Sequence, residues 1–467
     1  TKQQVDFWLM EENLQIKGAE NTPTSLTFTD YERSQYLSML LKLSWSDGSR
    51  IDQKIAPLKA QNLLEEYFPD LNLALPGKSG ENLNLLEYQT QEGGIAILPY
   101  SDQDLELSAK LASLYGSVFD KSSLADYFYK IAEDPRESRE RSIIALYGLS
   151  ALNEPVLTEL KLLSTQKDLT VKEQLYLAMA FLEIGDEPSA SQWIKSILKQ
   201  NGEDLKTQMR IKCGQDQDDI LEATALASIV CAGLNLDEQN KLAAYVLDNS
   251  TKDILLYTEQ LMFLEKALPR LSKNAVSFDY RLDGKSEKVV LEPQETFCLL
   301  LSPEKLAKLK FENIKGKVGI TAVYPAAFDT SLVSITDGVK LTRSYEAVSG
   351  RAQTSFNAGD LIKVNITYEF GQTAPDGPYI ITDFLPAGLK IVERPRYHGA
   401  GDDYTRYPVQ IDGQKVIFAV YEKKNGSLNY YARVINPGEF AAEPAIIQHM
   451  SSGVVYSVTK GDRMSIK

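Results

Sequence analysis

Helical periodicity runs through most of residues 26–271 and stops abruptly after them. In one of about eleven predicted helices, Leu107, Leu111 and Leu114 repeat at the spacing that places apolar side chains on one helical face. From residue 273 onward the chain consists of short alternating segments separated by Gly, Pro and Asn, a pattern typical of antiparallel β-sandwiches. This change indicates separate domains, and the length of 467 residues favours two to four of them.

A weak internal repeat indicates how the helices pair. The tripeptides Asn-Glu-Pro at 153–155 and Asp-Glu-Pro at 186–188 end neighbouring helical segments and lie 33 residues apart. A period near this length is found in open solenoids and also in closed rings of helical hairpins. The repeat fails beyond residue 200, which favours the less regular ring.

The segment 13–20 is predicted to be a strand that precedes the helices and needs a sheet to join. We therefore predict an α+β multi-domain fold, in which an α/α toroid (a ring of paired helices) is inserted into a β-sandwich and followed by a second β-sandwich. The predicted boundaries are 1–25 for the first strand or strands of the split sandwich, 26–271 for the ring, 272–339 for the rest of the split sandwich, and 340–467 for the C-terminal sandwich.

The composition argues against several function classes. A formal net charge of −14 makes nucleic acid an unfavourable partner, because phosphate binding needs a basic surface. The sequence lacks the run of about 18 apolar residues that would predict a membrane-spanning helix. The first ten residues have neither the basic start nor the apolar core of a signal peptide, so we expect the chain to be part of a longer protein.

Cysteine and histidine are scarce. The cysteines are Cys213, Cys231 and Cys298, without any C-x-x-C pair, so neither a structural zinc site nor another metal or cofactor site is predicted. A disulfide between Cys213 and Cys231 and buried free thiols both remain open. His398 and His449 are the only histidines, which excludes a Ser-His-Asp or Cys-His arrangement within the first 397 residues.

Two acidic motifs raise the possibility of a helical-ring enzyme. The D-x-D-D string at 216–219 occurs in cyclases that protonate alkenes, but acids that precede an apolar helical face are also typical helix caps. Asp102, Asp104 and Glu106 could serve a glycosidase, which needs two carboxylates across a cleft. We interpret both motifs as solvated caps of helices, and no catalytic residue is predicted.

One long loop of the C-terminal sandwich combines the residue types that protein interfaces favour. His398 with Asp402 and Asp403 in the same loop is a weak metal pattern, and a solvated loop is the simpler interpretation. The possible partner-binding residues of the loop are Arg394, Arg396, Tyr397, Tyr404, Arg406 and Tyr407.

Three segments in order, 356–370, 381–393 and 430–450, contain a Gly-Asp strand start, the string DFLPAGL, and a Y-x-x-R segment followed by P-G-x-F and P-A. In this order they resemble the last domain of bacterial alpha-2-macroglobulins. The segment 85–112 is similar to part of the thioester-domain toroid of the same family. The resemblance implies a helical ring inserted in a β-sandwich, a C-terminal macroglobulin-like sandwich of receptor-binding type, and further macroglobulin domains upstream in the same polypeptide.

The chain departs from this family at its reactive centre. The family forms an internal thioester between the Cys and Gln of a C-x-E-Q motif near the start of the ring, whereas this chain has no cysteine before residue 213. The segment in the corresponding place contains Tyr31, Glu32, Ser34 and Gln35, which cannot form a thioester. The resemblance therefore implies a thioester-lacking, non-enzymatic member.

Two functions follow from the resemblance. The first is non-covalent trapping of proteases, in envelope defence outside the cytoplasm, in the periplasm or at the cell surface. The second is a scaffold or binding module that engages envelope proteins without inhibiting proteases. A lipid anchor upstream of this chain is compatible with either function. A helical-ring glycosidase or cyclase is a third, less favoured alternative, which would require a deep cavity converging on paired carboxylates.

Overall fold

The computed structural model describes residues 2–46, 48, 50–71, 73, 84–250, 256–271, 273–326, 338–347, 354–400, 404–450 and 455–467. The chain forms two compact units, Thr1–Ser250 with Leu255–Ala326 and Thr251–Ile254 with Ala327–Lys467. The first unit contains helices and sheets, and the second contains sheets. The predicted α+β multi-domain fold class is confirmed.

The first unit contains a long run of helices, most of which begin at a side-chain cap. Asp104, Ser138, Thr170 and Asp186 each accept a hydrogen bond from a backbone N–H of the first turn that follows. The helices are α1 (Tyr31–Ser44), α2 (Ile51–Tyr67), α3 (Leu105–Tyr115), α4 (Lys121–Ala132), α5 (Arg139–Ala151), α6 (Leu157–Ser164), α7 (Val171–Glu183), α8 (Glu187–Asn201), α9 (Gln217–Gly233), α10 (Gln239–Asn249), α11 (Tyr257–Ala267) and the short α12 (Pro303–Leu306).

Contacts among the helices α3, α5, α7, α9 and α11 close into a ring. Helix α3 packs on α5, α5 on α7, α7 on α9 and α9 on α11, and α11 returns to contact α1, α2 and α3. Helices α4, α8 and α10 pack on α5, α7 and α9 respectively. The ring encloses one continuous apolar core, in which Tyr36, Tyr147, Tyr176 and Phe263 are almost completely buried.

A β-sandwich in the first unit is assembled from both sides of the helical run. One sheet has the order β1-β9-β2-β7 and the other the order β6-β5-β8. Because β1 and β2 precede the ring while β7 and β9 follow it, the helices are inserted between strands of one sheet. The strands of this unit are β1 (Lys2–Leu9), β2 (Thr24–Asp30), β3 (Gly202–Asp204) and β4 (Met209–Ile211) of a hairpin between α8 and α9, β5 (Val276–Leu282), β6 (Lys285–Leu291), β7 (Phe297–Leu301), β8 (Lys310–Lys315) and β9 (Val318–Ala326).

The strand predicted at 13–20 is wrong, because the first strand lies at Lys2–Leu9. The alternation at 13–20 has a different cause: Leu14 and Ile16 pack against the core of this sandwich without joining a sheet. Alternate side chains of this segment are therefore partly buried although its backbone does not pair with a strand.

The second unit is a separate set of sheets with its own core, and its strands pair antiparallel except for β11, which lies parallel to β21. One sheet has the order β10-β12-β17-β14, another β15-β16-β13-β19-β20, and a third, smaller one β11-β21-β18. The strands are β10 (Val339–Ala347), β11 (Ser355–Phe356), β12 (Leu361–Phe370), β13 (Tyr379–Phe384), β14 (Leu389–Ile391), β15 (Gln410–Asp412), β16 (Lys415–Val420), β17 (Gly426–Val434), β18 (Gly438–Ala442), β19 (Ile446–His449), β20 (Val455–Val458) and β21 (Asp462–Ile466). The domain boundaries proposed from the sequence stay predictions.

Candidate functional site

The segment predicted to replace the thioester lies in the first turns of α1, beneath the sheet β1-β9-β2-β7. Ser34 is completely buried, and its Oγ lies 2.7 Å from Oγ1 of Thr29, which is also completely buried. The carbonyl oxygen of Ser34 accepts a hydrogen bond of 3.3 Å from Oγ1 of Thr321 on β9. This serine hydroxyl is therefore sealed from solvent and from any large substrate.

The other three residues of this segment, Tyr31, Glu32 and Gln35, are partly or fully buried or hydrogen-bonded. Burial raises the pKa of Tyr31, and the nearby charge of Asp248 adds to this effect. The carboxylate of Glu32 accepts a hydrogen bond of 3.0 Å from Nδ2 of Asn240 on α10. Gln35 is only 8% exposed. The structure thus brings the four residues together at the start of α1, while their correspondence to a thioester site stays a prediction.

A group of charged side chains from four helices, which we call the charged cluster, lies between helices of the ring; the sequence pointed to only one of its members, Glu106. Nζ of Lys110 lies 2.6 Å from Oε1 of Glu259, 3.3 Å from Glu222 and 3.7 Å from Glu106. Lys172 pairs with Glu106 and lies 3.7 Å from Glu222. The cluster joins α3, α7, α9 and α11 and contains three carboxylates and two ammonium groups.

The electrostatics of the charged cluster follow from its partial burial. Burial alone would raise the pKa of Glu106, but the charges of Lys110 and Lys172 outweigh it and hold the pKa at about 2. Burial raises the pKa of Glu222, and the neighbouring Glu106 adds to the rise. Burial alone would lower the pKa of Lys110, but Glu259 and the other acidic neighbours raise it. The acidic neighbours therefore favour the charged form of both lysines, while Glu222 takes up a proton more readily than a solvent-exposed glutamate does.

The interpretation of 102–106 as a solvated cap is correct for Asp104 and wrong for Glu106. Asp104 accepts a hydrogen bond of 2.8 Å from the backbone N–H of Leu107 at the start of α3. Glu106 turns into the ring, where its Oε2 accepts a hydrogen bond of 2.9 Å from the hydroxyl of Tyr176. The residue follows the cap by half a turn, so its side chain points to the opposite side of the helix.

A small cavity beside the charged cluster has a volume of only about 10 Å³. Met39, Ala225, Ser228 and Phe263 line it together with one carboxylate, that of Glu259. A glycosidase needs two carboxylates across a cleft, one acting as acid and one as base or nucleophile. Here the one carboxylate at the cavity is already ion-paired with Lys110, so the geometry does not support this chemistry.

The D-x-D-D string caps α9, as predicted. The carboxylate of Asp216 accepts a hydrogen bond of 2.9 Å from the backbone N–H of Asp218, and both residues are exposed. A carboxyl that protonates an alkene must instead be buried in an apolar cavity. Cys213 and Cys231 are free thiols in the structure, which answers the pairing question left open by the sequence.

The predicted partner-binding loop divides into an anchored half and an exposed half. The hydroxyl of Tyr404 donates to the carbonyl of Val392, and Arg406 donates to the carbonyl of Ala419. These two side chains hold the loop to the sheets. Tyr397 and Tyr407 are 84% and 63% exposed, and Arg394 and Arg396 are exposed beside them. If this loop binds a partner, these four exposed side chains are the ones available for contact.

The motif DFLPAGL begins with a residue that holds the core of the second unit. Asp383 is completely buried and forms an ion pair with Arg343, whose side chain is 1% exposed. The hydroxyl of Tyr430, from the Y-x-x-R motif, donates a hydrogen bond of 2.7 Å to the second carboxylate oxygen. Two of the motifs that carried the family resemblance therefore meet at one buried ion pair.

Within the described part of the chain, no group of three or more His, Cys, Asp or Glu residues could hold a metal ion. His398 is exposed, while Asp402 and Asp403 lie outside the described residues. None of the helices described by the structure is long and apolar enough to cross a membrane.

A helical ring inserted in a β-sandwich, together with a separate C-terminal sandwich, is the architecture that the sequence resemblance implied. Residues 338–452 match the family model of the bacterial alpha-2-macroglobulin MG10 domain. The recognition of the bacterial alpha-2-macroglobulin family, made from the sequence motifs, is thereby confirmed. None of the curated proteins matches the chain.

Solved structures share the fold over the full length of the chain. Native alpha-2-macroglobulin from Escherichia coli, from domain MG7 to the C-terminus, aligns with all of this chain and 81% of its own, at 15% identity and a TM-score of 0.65. Alpha-2-macroglobulin from Salmonella reacted with methylamine aligns with all of this chain at 15% identity and a TM-score of 0.62. This chain spans 33% of that Salmonella chain. At such identity the likeness concerns the fold.

Proposed function

We propose that this chain is the C-terminal part of a thioester-lacking bacterial alpha-2-macroglobulin that traps proteases without a covalent bond. The observation that carries the proposal is the burial of Ser34 and its neighbours at the start of α1, within a fold shared with native alpha-2-macroglobulin. In this proposal the parent protein acts outside the cytoplasm, and further macroglobulin domains precede the chain.

The cysteines of the chain support a non-covalent mechanism. In a C-x-E-Q motif the Gln lies three residues after the Cys. The residues three positions after Cys213, Cys231 and Cys298 are Asp216, Leu234 and Leu301, so none of these cysteines lies in such a motif. Burial raises the pKa of Cys213 and of Cys231, which lowers the fraction of reactive thiolate. Capture would therefore depend on a change of shape after the protease cuts the parent protein.

The test is cleavage of the full-length parent protein by trypsin and by elastase. Trapping predicts that the bound protease keeps its activity on small peptide substrates and loses it on large proteins, and that the complex separates on a denaturing gel. A complex that survives denaturation would contradict the non-covalent mechanism. Methylamine is the matched chemical control, and it should neither release a thiol nor change the mass of the segment 30–40.

A second candidate function is a scaffold or binding module that engages envelope proteins. The exposed half of the loop favours it, because Tyr397 and Tyr407 present aromatic surface beside Arg394 and Arg396. If cleavage by several proteases gives neither protection nor compaction, the inhibitor proposal fails and this alternative remains. Binding of a candidate partner should then fall in a Tyr397→Ala, Tyr407→Ala variant.

A further inference from the structure

We infer that the ring and the split sandwich are locked together at the start of α1 and move as one rigid body. The lock is the junction between β2 and α1, where the chain passes from sheet to ring without a connecting loop. Asp30 is the last residue of β2, pairs with Val318 of β9, and caps α1 by accepting a hydrogen bond from the N–H of Arg33. One residue thus belongs to both domains.

Backbone and side-chain contacts on either side of Asp30 hold the same junction. The N–H of Tyr31 donates a hydrogen bond of 2.8 Å to the carbonyl of Lys317, just before β9 begins. The hydroxyls of Thr29 and Thr321 reach Ser34 from two strands of the sheet. These groups are buried, so separating ring from sheet would leave polar atoms without partners unless water entered.

Apolar packing closes the rest of the junction. Val5 of β1 and Val323 of β9 belong to the apolar core of the ring rather than to that of the sandwich. The ring of Phe7 lies 5.2 Å from that of Tyr31. Gly319 of β9 lies so close to Ser34 that any larger side chain there would collide with it. The two domains therefore share one buried interface, and a tilt of one against the other would open it.

The lock constrains any shape change in the parent protein. A cleavage-induced movement would carry ring and split sandwich together, and the first turns of α1 would remain covered before and after cleavage. The inference concerns this chain alone and holds whether or not the parent protein traps proteases.

Hydrogen exchange of the 467-residue chain, followed by mass spectrometry, tests the lock. A rigid junction predicts that peptides covering 24–40 exchange at the same rate as peptides from the inner helix α5 and from the core strand β5. Exchange of 24–40 in the wild-type chain that is much faster than in both references would overturn the inference, and this outcome needs no variant.

Two substitutions then act on the lock directly. Ser34→Ala removes one hydrogen bond while Thr29 keeps its donation to the carbonyl of Asp30, so exchange of 24–40 should accelerate about fivefold. Gly319→Val should uncouple the domains and give two unfolding transitions in place of one. Gly461→Val is the control, because a Cβ at this position would meet only ordinary contacts at 3.8 Å. Unchanged exchange of 24–40 in both lock variants would also overturn the inference.

Discussion

Replacing Lys110 by Met is expected to destabilise the ring strongly. The Lys110 side chain is 7% exposed, that of its closest partner Glu259 is 8% exposed, and the two charges lie 2.6 Å apart. Removing one partner of a buried ion pair costs about 3–5 kcal/mol, because the remaining charge is left without compensation in a poorly solvated site. Glu222 and Glu106 add like charges next to Glu259, which places the expected loss in the upper part of that range.

The assay is urea unfolding at pH 7 followed by tryptophan fluorescence. Trp45 follows the last residue of α1 and Trp193 lies in α8, so two of the three tryptophans of the chain report on the ring. Urea is preferred to guanidinium because a salt would screen the ion pairs under study. Circular dichroism recorded on the same samples should give a coincident transition, which is needed before a free energy of unfolding is calculated.

Two control variants separate the buried pair from a general effect of losing a charge. A double variant, Lys110→Met with Glu259→Met, removes both charges and should recover most of the lost stability. Lys241→Met removes an exposed lysine of the ring that pairs with the exposed Asp204, and it should leave the transition where it is. A loss below about 1 kcal/mol for Lys110→Met, or a double variant no more stable than the single one, would refute the reasoning.

Three further predictions concern other groups. Burial raises the pKa of Glu222, so its stabilising contribution is complete below the unfolded pKa of about 4.3 and is lost as the pH rises through the folded value. Glu222→Gln should therefore gain stability relative to wild type as the pH rises above about 4.3 in urea unfolding; a difference that stays constant with pH would contradict the prediction. Asp383→Asn leaves the buried Arg343 uncompensated and should cost about 3–5 kcal/mol in the second unit, visible as a lower thermal midpoint. Tyr397→Ala removes an exposed ring and should change that midpoint by less than one degree, unlike a change at a buried tyrosine such as Tyr430.

The helix caps could be predicted from the sequence because each depends on a few neighbouring residues. The aspartates at 216–219 precede an apolar helical face. The same holds for Asp104 at the start of α3. The fold class could also be predicted, because the change from helical to strand-like patterning is a property of the sequence itself. The strand predicted at 13–20 failed because alternation reports burial, and burial does not require backbone pairing.

The charged cluster could not be predicted in the same way. Its five residues lie on four helices between Glu106 and Glu259, and each of them alone resembles an ordinary solvated charge of an amphipathic helix. One local signal was present: Lys110 lies between Leu107 and Leu111 on the apolar face of α3, where a charge must find a buried partner. The identity of that partner depends on the closure of the ring, which brings α11 back to α3.

Within the described part of the ring, two groups of polar side chains considered for chemistry are both engaged in structural interactions. At the start of α1, Ser34 is buried beneath the sheet and hydrogen-bonded to Thr29. Inside the ring, the carboxylates are ion-paired with Lys110 and Lys172, which favours their role in joining helices over one in acid–base catalysis. The exposed side chains of the second unit, Tyr397 above all, are free of these constraints. Exposed surface of this kind is what the proposed trapping or binding of a partner would use.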